Sequence, residues 1–219
     1  MKETVLGIID AQRGFMPAEE GEKLDRAGFG ELPVTDGQRI IPVVKRLLWA
    51  MGSVNTFTTQ DWHPEHTAHF SDEPDFMTNW PVHCVGGTEG AEIHPALEST
   101  LGPQVTRFYK GEEQLEDGKD DLSYSGFYGK TDEGLMLPDW LIERKADAVV
   151  LGGLALDYCV GKTALDLRQK LGLEVTIAID ATRAIHTDDL AIEETIAEFT
   201  DAGIAIKYAD DIIREMEAA

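Results

Sequence analysis

Short apolar runs alternate along the chain with segments whose apolar residues recur at helical spacing. The apolar, β-rich runs predict six strands, at residues 5–9, 53–59, 105–109, 146–151, 174–179 and 204–208. The helical spacing predicts helices at residues 37–51, 158–170 and 188–199, followed by a short C-terminal helix. Alternating strands and helices favour an α/β fold. We expect a three-layer α/β/α arrangement around a mostly parallel, doubly wound sheet of about six strands.

Length and composition are consistent with one domain that covers residues 1–219. Hydrophobic residues at 42% and charged residues at 27% are close to the globular average. Two long predicted loops, at residues 16–35 and 67–101, are places where binding residues are expected. The second loop contains His69, His83 and His94. An acidic stretch at residues 112–121 needs no function beyond that of a solvated loop.

The charge balance bears on the choice of partner. The chain has 41 acidic and 19 basic residues and a formal charge of −22, which repels phosphate backbones and anionic lipid surfaces. We therefore expect neither nucleic acid nor a membrane as a partner. The N-terminus has no signal-peptide pattern and no stretch is long enough to span a bilayer, so a cytoplasmic location is expected. Adaptation to salt and ordinary surface solvation both explain the charge.

A first candidate site consists of Asp61, His63 and His83. Residues two apart in an extended segment point to the same side, so Asp61 and His63 can reach one ion together, and His83 could complete the set. A carboxylate with imidazoles suits a divalent ion such as zinc, iron or manganese. Exposed histidines in a polar loop are an equally good interpretation, and we assign no role to His66 or His94.

A second candidate is one of the two cysteines, Cys84 and Cys159, which are too few for a disulfide framework. Cys84 should face away from the neighbouring His83, so we expect a buried structural thiol there. Cys159 follows a strand and two glycines, and it stands in the first turn of a predicted helix. Unpaired amides and the helix dipole there stabilise a thiolate and can hold an oxyanion. Packing of a small residue against the sheet is the alternative.

A third candidate is the pair Asp10 and Lys110, which stand at the ends of predicted strands. An acid at that edge of the sheet could take a thiol proton and pass it to a leaving amine. A nearby ammonium would keep the acid ionised and hold its geometry. A surface salt bridge would explain either residue alone, so the hypothesis depends on their common location with Cys159.

Six segments resemble the nicotinamidase/pyrazinamidase branch of the isochorismatase-like cysteine hydrolases, over essentially the whole chain. They are IIDAQRGF at residues 8–15, QDWHP at 60–64, WPVHCV at 80–85, FYKG at 108–111, YSGF at 124–127 and GLALDYCV at 153–160. The resemblance implies hydrolysis of nicotinamide, and of pyrazinamide, to the acid and ammonia through a thioester acyl-enzyme, in NAD salvage. It also implies a catalytic triad of Asp10, Lys110 and Cys159.

The same resemblance implies a metal site, an oxyanion hole and a substrate pocket. One divalent ion, zinc foremost and iron or manganese as alternatives, would be held by Asp61, His63 and His83, with His69 as a fourth ligand. The oxyanion hole would use the amides of Ala155 and Cys159, next to a cis peptide between Leu154 and Ala155. The pyridine carboxamide would lie against five residues: Phe15, Trp80, Tyr124, Leu154 and Ala155.

Two features depart from the family pattern. The stretch between Lys110 and Tyr124 is longer and more acidic than usual, and Leu156 stands where a threonine is common. The nearest alternative function is another amide or carbamoyl hydrolase of the same superfamily, although those branches generally lack the Asp-x-His pattern. A second alternative is a non-catalytic metal-binding module that presents a surface to a partner protein. Members of the family often form dimers or larger assemblies, so a homo-oligomer is also expected.

Overall fold

The strands form one sheet in the computed structural model, which describes residues 3–17, 27–77, 79–112 and 124–218. The six strands are β1 Thr4–Ile9, β2 Thr56–Asp61, β3 Thr106–Lys110, β4 Ala148–Leu154, β5 Glu174–Arg183 and β6 Ala205–Lys207. Their order is β3-β2-β1-β4-β5-β6, and every pairing between them is parallel. The predicted doubly wound sheet is confirmed, and within the described residues it is wholly parallel.

Helices cover both faces of the sheet. They are α1 Ile41–Met51, α2 Pro95–Glu98, α3 Leu137–Glu143, α4 Gly161–Leu171, α5 Asp189–Asp201 and α6 Ala209–Glu217. Apolar residues of α1, α2 and α6 pack in a cluster on one face, and those of α3, α4 and α5 pack in a cluster on the other. The sequence did not predict α2 or α3. Both are short and begin with a proline in the first turn, a pattern that is also typical of loops.

Strand β1 shows why the central strands appear in the sequence as continuous apolar runs. Leu6 and Ile8 belong to the cluster that contains α1, whereas Val5 and Ile9 belong to the cluster that contains α4. Each face of a central parallel strand is covered by helices, so apolar side chains are required on both sides. No helix in the described part of the chain is both long and apolar enough to cross a membrane.

The carboxyl end of β4 differs from the sequence prediction. Gly152 and Gly153 were expected in a turn after a strand that ends at residue 151, but they lie inside β4. Gly153 has φ +122°, and a Cβ atom there would collide with the carbonyl oxygen of Ile9 in β1. Glycine therefore lets the two central strands approach each other closely at this end of the sheet.

The loop predicted at residues 67–101 and the predicted end of the second strand also differ from the structure. The loop at residues 67–101 contains the short helix α2, and β2 extends to Asp61, so this residue lies in the strand rather than beyond it. The acidic stretch at residues 112–121 lies, apart from Glu112, outside the described residues.

Candidate active site

The two central strands define the position of the site. The chain moves outward from β1 to β3 in one direction and from β4 to β6 in the other. In such sheets a crevice forms beyond the carboxyl ends of the two strands where the order reverses. Asp10 follows β1 and Cys159 follows β4, while Asp61 and Lys110 are the last residues of β2 and β3. The sheet thus brings four chemically active side chains to one edge.

Lys110 connects these groups. Its Nζ atom lies 2.8 Å from Oδ2 of Asp10 and 3.4 Å from Sγ of Cys159, and it forms a second ion pair with Asp61. The other carboxylate oxygen of Asp10 accepts a hydrogen bond from the Thr59 hydroxyl at 2.6 Å. Asp10 is fully buried and Lys110 is 3% exposed. Their depth excludes the interpretation as a surface salt bridge.

Burial and the neighbouring charges shift the pKa of each residue in this group. Burial raises the pKa of the Asp10 carboxyl, against the opposing positive charge of Lys110. Burial also raises the pKa of the Cys159 thiol, again with Lys110 opposing the shift. Burial alone would lower the pKa of Lys110, but the carboxylates of Asp10 and Asp61 hold it well above its ordinary value. The lysine is therefore a cation, and Asp10 is a stronger base than an exposed aspartate.

Cys159 lies in a wide turn between β4 and α4. The amide of Val160 donates to the carbonyl of Ala155, five residues earlier, at 3.0 Å, and Tyr158 has a non-helical backbone with φ −124° and ψ −105°. The sequence predicted that Cys159 lies in the first turn of the helix, but regular α4 begins two residues later. The turn follows a cis peptide between Leu154 and Ala155, as the family resemblance implied.

Three histidines form a cluster beside these groups. Ligand atoms of His63, His69 and His83 all lie within 4.8 Å of one another. The Nδ1 atom of His63 is 3.2 Å from the Gly111 carbonyl oxygen, and that of His83 is 2.7 Å from the Pro81 carbonyl oxygen. A carbonyl only accepts hydrogen bonds, so Nδ1 is the donor in both rings and Nε2 is the ring nitrogen that remains for a ligand.

Asp61 stands between the histidine cluster and Cys159. One of its carboxylate oxygens is 3.7 Å from Nε2 of His63, and the other pairs with Lys110. A carboxylate oxygen of Asp61 also lies within 4.8 Å of the reactive atoms of Asp10 and Cys159. Burial would raise the pKa of Asp61, but Lys110 and His63 together hold it well below its usual value. Asp61 is therefore an anion that lies next to both the histidine cluster and the buried group around Lys110.

The donor set fits a divalent metal ion. Burial and the neighbouring His63 lower the pKa of His69 to about 4 and that of His83 to about 3, so both rings are neutral at pH 7, as metal ligands must be. Nε2 of His63 is buried without a hydrogen-bond partner among the described residues. Neutral imidazoles beside a carboxylate suit borderline ions such as zinc, iron and manganese.

The cavity beside Cys159 has about 360 Å³ of empty space, counted to its open mouth. Aromatic and apolar side chains make up most of its lining, which suits a small flat ring. All five residues predicted to contact the substrate line it: Phe15, Trp80, Tyr124, Leu154 and Ala155. Trp80 donates from Nε1 to the Tyr124 hydroxyl oxygen at 2.9 Å, which fixes two of the aromatic walls. Cys159 and His83 also line the cavity.

Sequence reasoning missed several residues of the site. Four further side chains line the cavity: Leu32, Val34, Tyr158 and Ile185. Gln12 forms a pair of hydrogen bonds with the backbone of Asp61, at 2.8 and 2.9 Å. A buried amide directly after the first strand, inside the IIDAQRGF segment, was a signal that could have identified Gln12. Nothing local in the sequence identifies Ile185.

Three residues have no assigned metal or catalytic role: His66, His94 and Cys84. His66 is exposed, and Nδ1 of His94 accepts the amide of Ala96 at 3.2 Å at the start of α2. Cys84 is fully buried, with Sγ 3.5 Å from the Gly90 carbonyl oxygen. Burial raises the pKa of the Cys84 thiol well above its ordinary value, which is consistent with an unreactive structural cysteine.

Comparisons with known proteins agree with this geometry. The isochorismatase domain model matches residues 4–203. The nicotinamidase/pyrazinamidase of Mycobacterium tuberculosis is 35% identical over 190 residues, covering 85% of this chain and 91% of the relative. The nicotinamidase of Escherichia coli is 32% identical over 197 residues, covering 83% and 89%.

Solved structures give the same result. The pyrazinamidase of Pyrococcus horikoshii in complex with zinc has a TM-score of 0.72 and 33% identity, covering 94% of this chain and 99% of that one. PnC1 from L. infantum in complex with nicotinate has a TM-score of 0.71 and 31% identity, covering 94% and 93%. The chain therefore belongs to the isochorismatase domain family.

Proposed function

We propose that this chain is a nicotinamidase that hydrolyses nicotinamide, and also pyrazinamide, to the carboxylic acid and ammonia. The observation that carries the proposal is the buried group of Asp10, Lys110 and Cys159 beside an aromatic cavity. Imidazoles of the histidine cluster line the same cavity. Relatives named nicotinamidase at 32–35% identity support the choice of substrate. This activity would belong to NAD salvage.

In the first half of the reaction, Asp10 accepts the thiol proton and Cys159 attacks the carboxamide carbon. The backbone amides of Ala155 and Cys159 hold the oxyanion that develops on the carbonyl oxygen. The C–N bond then breaks, Asp10 returns its proton to the nitrogen, and ammonia leaves a thioester on Cys159. Lys110 keeps Asp10 in place and offsets its charge throughout this sequence.

In the second half, Asp10 takes a proton from water and the resulting hydroxide adds to the thioester carbon. The C–S bond breaks, the proton returns to the Cys159 sulfur, and the carboxylic acid is released. One carboxyl thus serves as base and acid in both halves. Its burial, which raises the pKa of Asp10, suits it to both roles.

His63, His69, His83 and Asp61 would hold one divalent metal ion. Zinc is favoured because the Pyrococcus horikoshii relative is in complex with zinc, while iron and manganese accept the same donors. When bound, the ion would act as a Lewis acid towards the pyridine nitrogen and so help to orient the ring. Phe15 and Trp80 would contact the two faces of that ring, since flat rings bind best between apolar faces.

The test is ammonia and nicotinate release from nicotinamide by the zinc-loaded protein, with Cys159→Ala beside it. We expect Cys159→Ala to lose all turnover and to keep its fold and its zinc, because only the nucleophile is removed. Mass spectrometry of acid-quenched samples should detect one nicotinoyl group on the wild-type protein and none on the variant. Turnover above background by Cys159→Ala would refute the assigned role.

A second set of variants tests the metal site. His63→Ala and His83→Ala should each lower the zinc stoichiometry and raise the KM for nicotinamide, because they remove ligands and with them the orienting ion. His66→Ala is the matched control, since this exposed histidine lies three residues from His63 and should leave both quantities unchanged. Full zinc content in His63→Ala and His83→Ala would contradict the proposed metal site.

A further inference from the structure

Strand β5 carries an irregularity that brings the residues after it to the mouth of the cavity. Ile177 pairs with Leu151 of β4, but the next paired residue of β5, Thr182, lies opposite Gly153. Residues 178–181 of β5 therefore face only Gly152 of β4, which is a large bulge. Beyond the bulge Arg183 pairs with Leu154, directly before the turn that contains the nucleophile. Residues 184–186 consequently start beside that turn.

The turn binds this segment through two consecutive side chains. The Asp157 carboxylate accepts the amide of Ile185 on one oxygen and the amide of His186 on the other, both at 2.9 Å. The Tyr158 hydroxyl lies 3.3 Å from Nε2 of His186. Hydrogen bonds to a carboxylate are roughly twice as strong as neutral ones, so Asp157 is the main contact. We call this arrangement the Asp157 clasp.

The clasp determines the shape of the cavity because Ile185 is part of the cavity wall. Ile185 and Tyr158 line the cavity together with Cys159, so both sides of the clasp contribute a side chain to it. Ile185 is partly buried and packs against the core cluster that contains Phe15 and Leu154. Since the clasp bonds the main chain of Ile185 itself, the position of this wall depends directly on Asp157.

We propose that Ile185 is a specificity-determining residue for the substrate ring and that Asp157 is the residue that positions it. The inference rests on the proposed hydrolysis of a pyridine carboxamide at Cys159. In an apolar pocket, one methyl or methylene group changes discrimination by about 10–200-fold. The Ile185 side chain therefore sets which ring substituents the enzyme accepts.

The first test compares nicotinamide with nicotinamides methylated at ring positions 2, 4, 5 and 6. In Ile185→Ala, kcat/KM for at least one methylated amide, relative to nicotinamide, should rise about tenfold or more. The KM for nicotinamide should rise because an apolar contact is lost. Relative kcat/KM values that match the wild type across the whole panel would overturn the role of Ile185.

The second test compares three aspartate variants on the same panel. Asp157→Ala should change selectivity in the same direction as Ile185→Ala, whereas Asp157→Asn should be closer to the wild type because its amide oxygen still accepts a hydrogen bond. Asp188→Ala is the matched control, since its carboxylate caps α5 by accepting the amide of Ala191 at 3.0 Å and does not line the cavity. Identical selectivity in Asp157→Ala and Asp188→Ala would overturn the positioning role.

Hydrogen exchange separates the clasp from the proposed function. The amides of Ile185 and His186 should exchange faster in Asp157→Ala than in the wild type and at the wild-type rate in Asp188→Ala. Unchanged exchange in Asp157→Ala would overturn the clasp even if nicotinamide is hydrolysed. Faster exchange in a protein that releases no ammonia from nicotinamide would support the clasp and refute the proposed function.

Discussion

The Thr163 hydroxyl connects the turn that contains Cys159 to the segment that carries Tyr124. It donates to the Cys159 carbonyl at 2.6 Å and accepts the amide of Gly126 at 2.7 Å. Thr163 and Gly126 are both buried, so water does not easily replace either bond. Thr163→Val keeps the shape of the side chain and removes both hydrogen bonds. We expect the variant to lose stability and to hold the cavity wall less firmly.

The magnitude follows from the two bonds. A buried amide that loses its acceptor costs about 1–3 kcal/mol, and the lost bond to the Cys159 carbonyl adds about 0.5–1.5 kcal/mol. The sum is a loss of roughly 1.5–4.5 kcal/mol, which for a chain of this size lowers the Tm by roughly 3–18 °C. Thr163→Ser keeps the hydroxyl and loses one methyl group, so it should cost only about 1 kcal/mol.

Calorimetry and urea unfolding of both variants measure the difference, and steady-state kinetics on nicotinamide measure its effect on the site. Thr163→Val should be the less stable of the two and should have the higher KM, because the segment that carries Tyr124 loses its bond to α4. If Thr163→Val proves as stable as Thr163→Ser, the hydroxyl contributes no net stability and the reasoning from buried hydrogen bonds is wrong for this position.

Two further predictions concern the metal site and the pH dependence of stability. Gly111 has φ +77° and a Cβ atom there would lie 2.8 Å from the His63 ring, so Gly111→Ala should lower the zinc stoichiometry. Gly134→Ala, at φ +85° with open space, should cause a similar strain of about 1–2 kcal/mol but leave the zinc content intact, and equal zinc content in both variants would contradict the contact. Burial, with Arg13 and Lys45, lowers the pKa of His94 to about 4, so its contribution to stability is present above about pH 6.5 and is lost as the pH falls towards 4. His94→Asn keeps a capping side chain without this titration, so its stability should fall less over that range in thermal unfolding, and parallel pH profiles would refute the assignment.

The strands of the sheet were predictable because the central ones are buried on both faces. Continuous apolar runs such as Val5 to Ile9 occur where helices cover both sides of a parallel strand, and the pattern is local in the sequence. The short helices α2 and α3 escaped prediction because one or two helical turns that begin with a proline do not distinguish a helix from a loop. Gly152 and Gly153 were assigned to a turn because a glycine pair is more typical of turns than of a strand interior.

The sequence also predicted the chemistry of the site, because Asp10 and Lys110 follow directly after predicted strands and Cys159 follows the glycine turn after a third. Parallel strands carry their carboxyl ends to one edge, so Asp10, Lys110 and Cys159 were expected together before any distance was known. The metal-binding pattern at Asp61 and His63 depends on spacing within one short segment, which is again local information. Their roles remain predictions that the variants above test.

Only the tertiary structure decided which of these groups contact one another. That Asp61 lies between Lys110 and His63 depends on the register of β2 against β3. That Ile185 enters the cavity depends on a bulge between β4 and β5. Pairing between parallel strands joins residues far apart in the chain, and no local pattern records the register or the bulge. The sequence therefore determined which groups are candidates for the chemistry, and the packing of the sheet decided which of them are in contact.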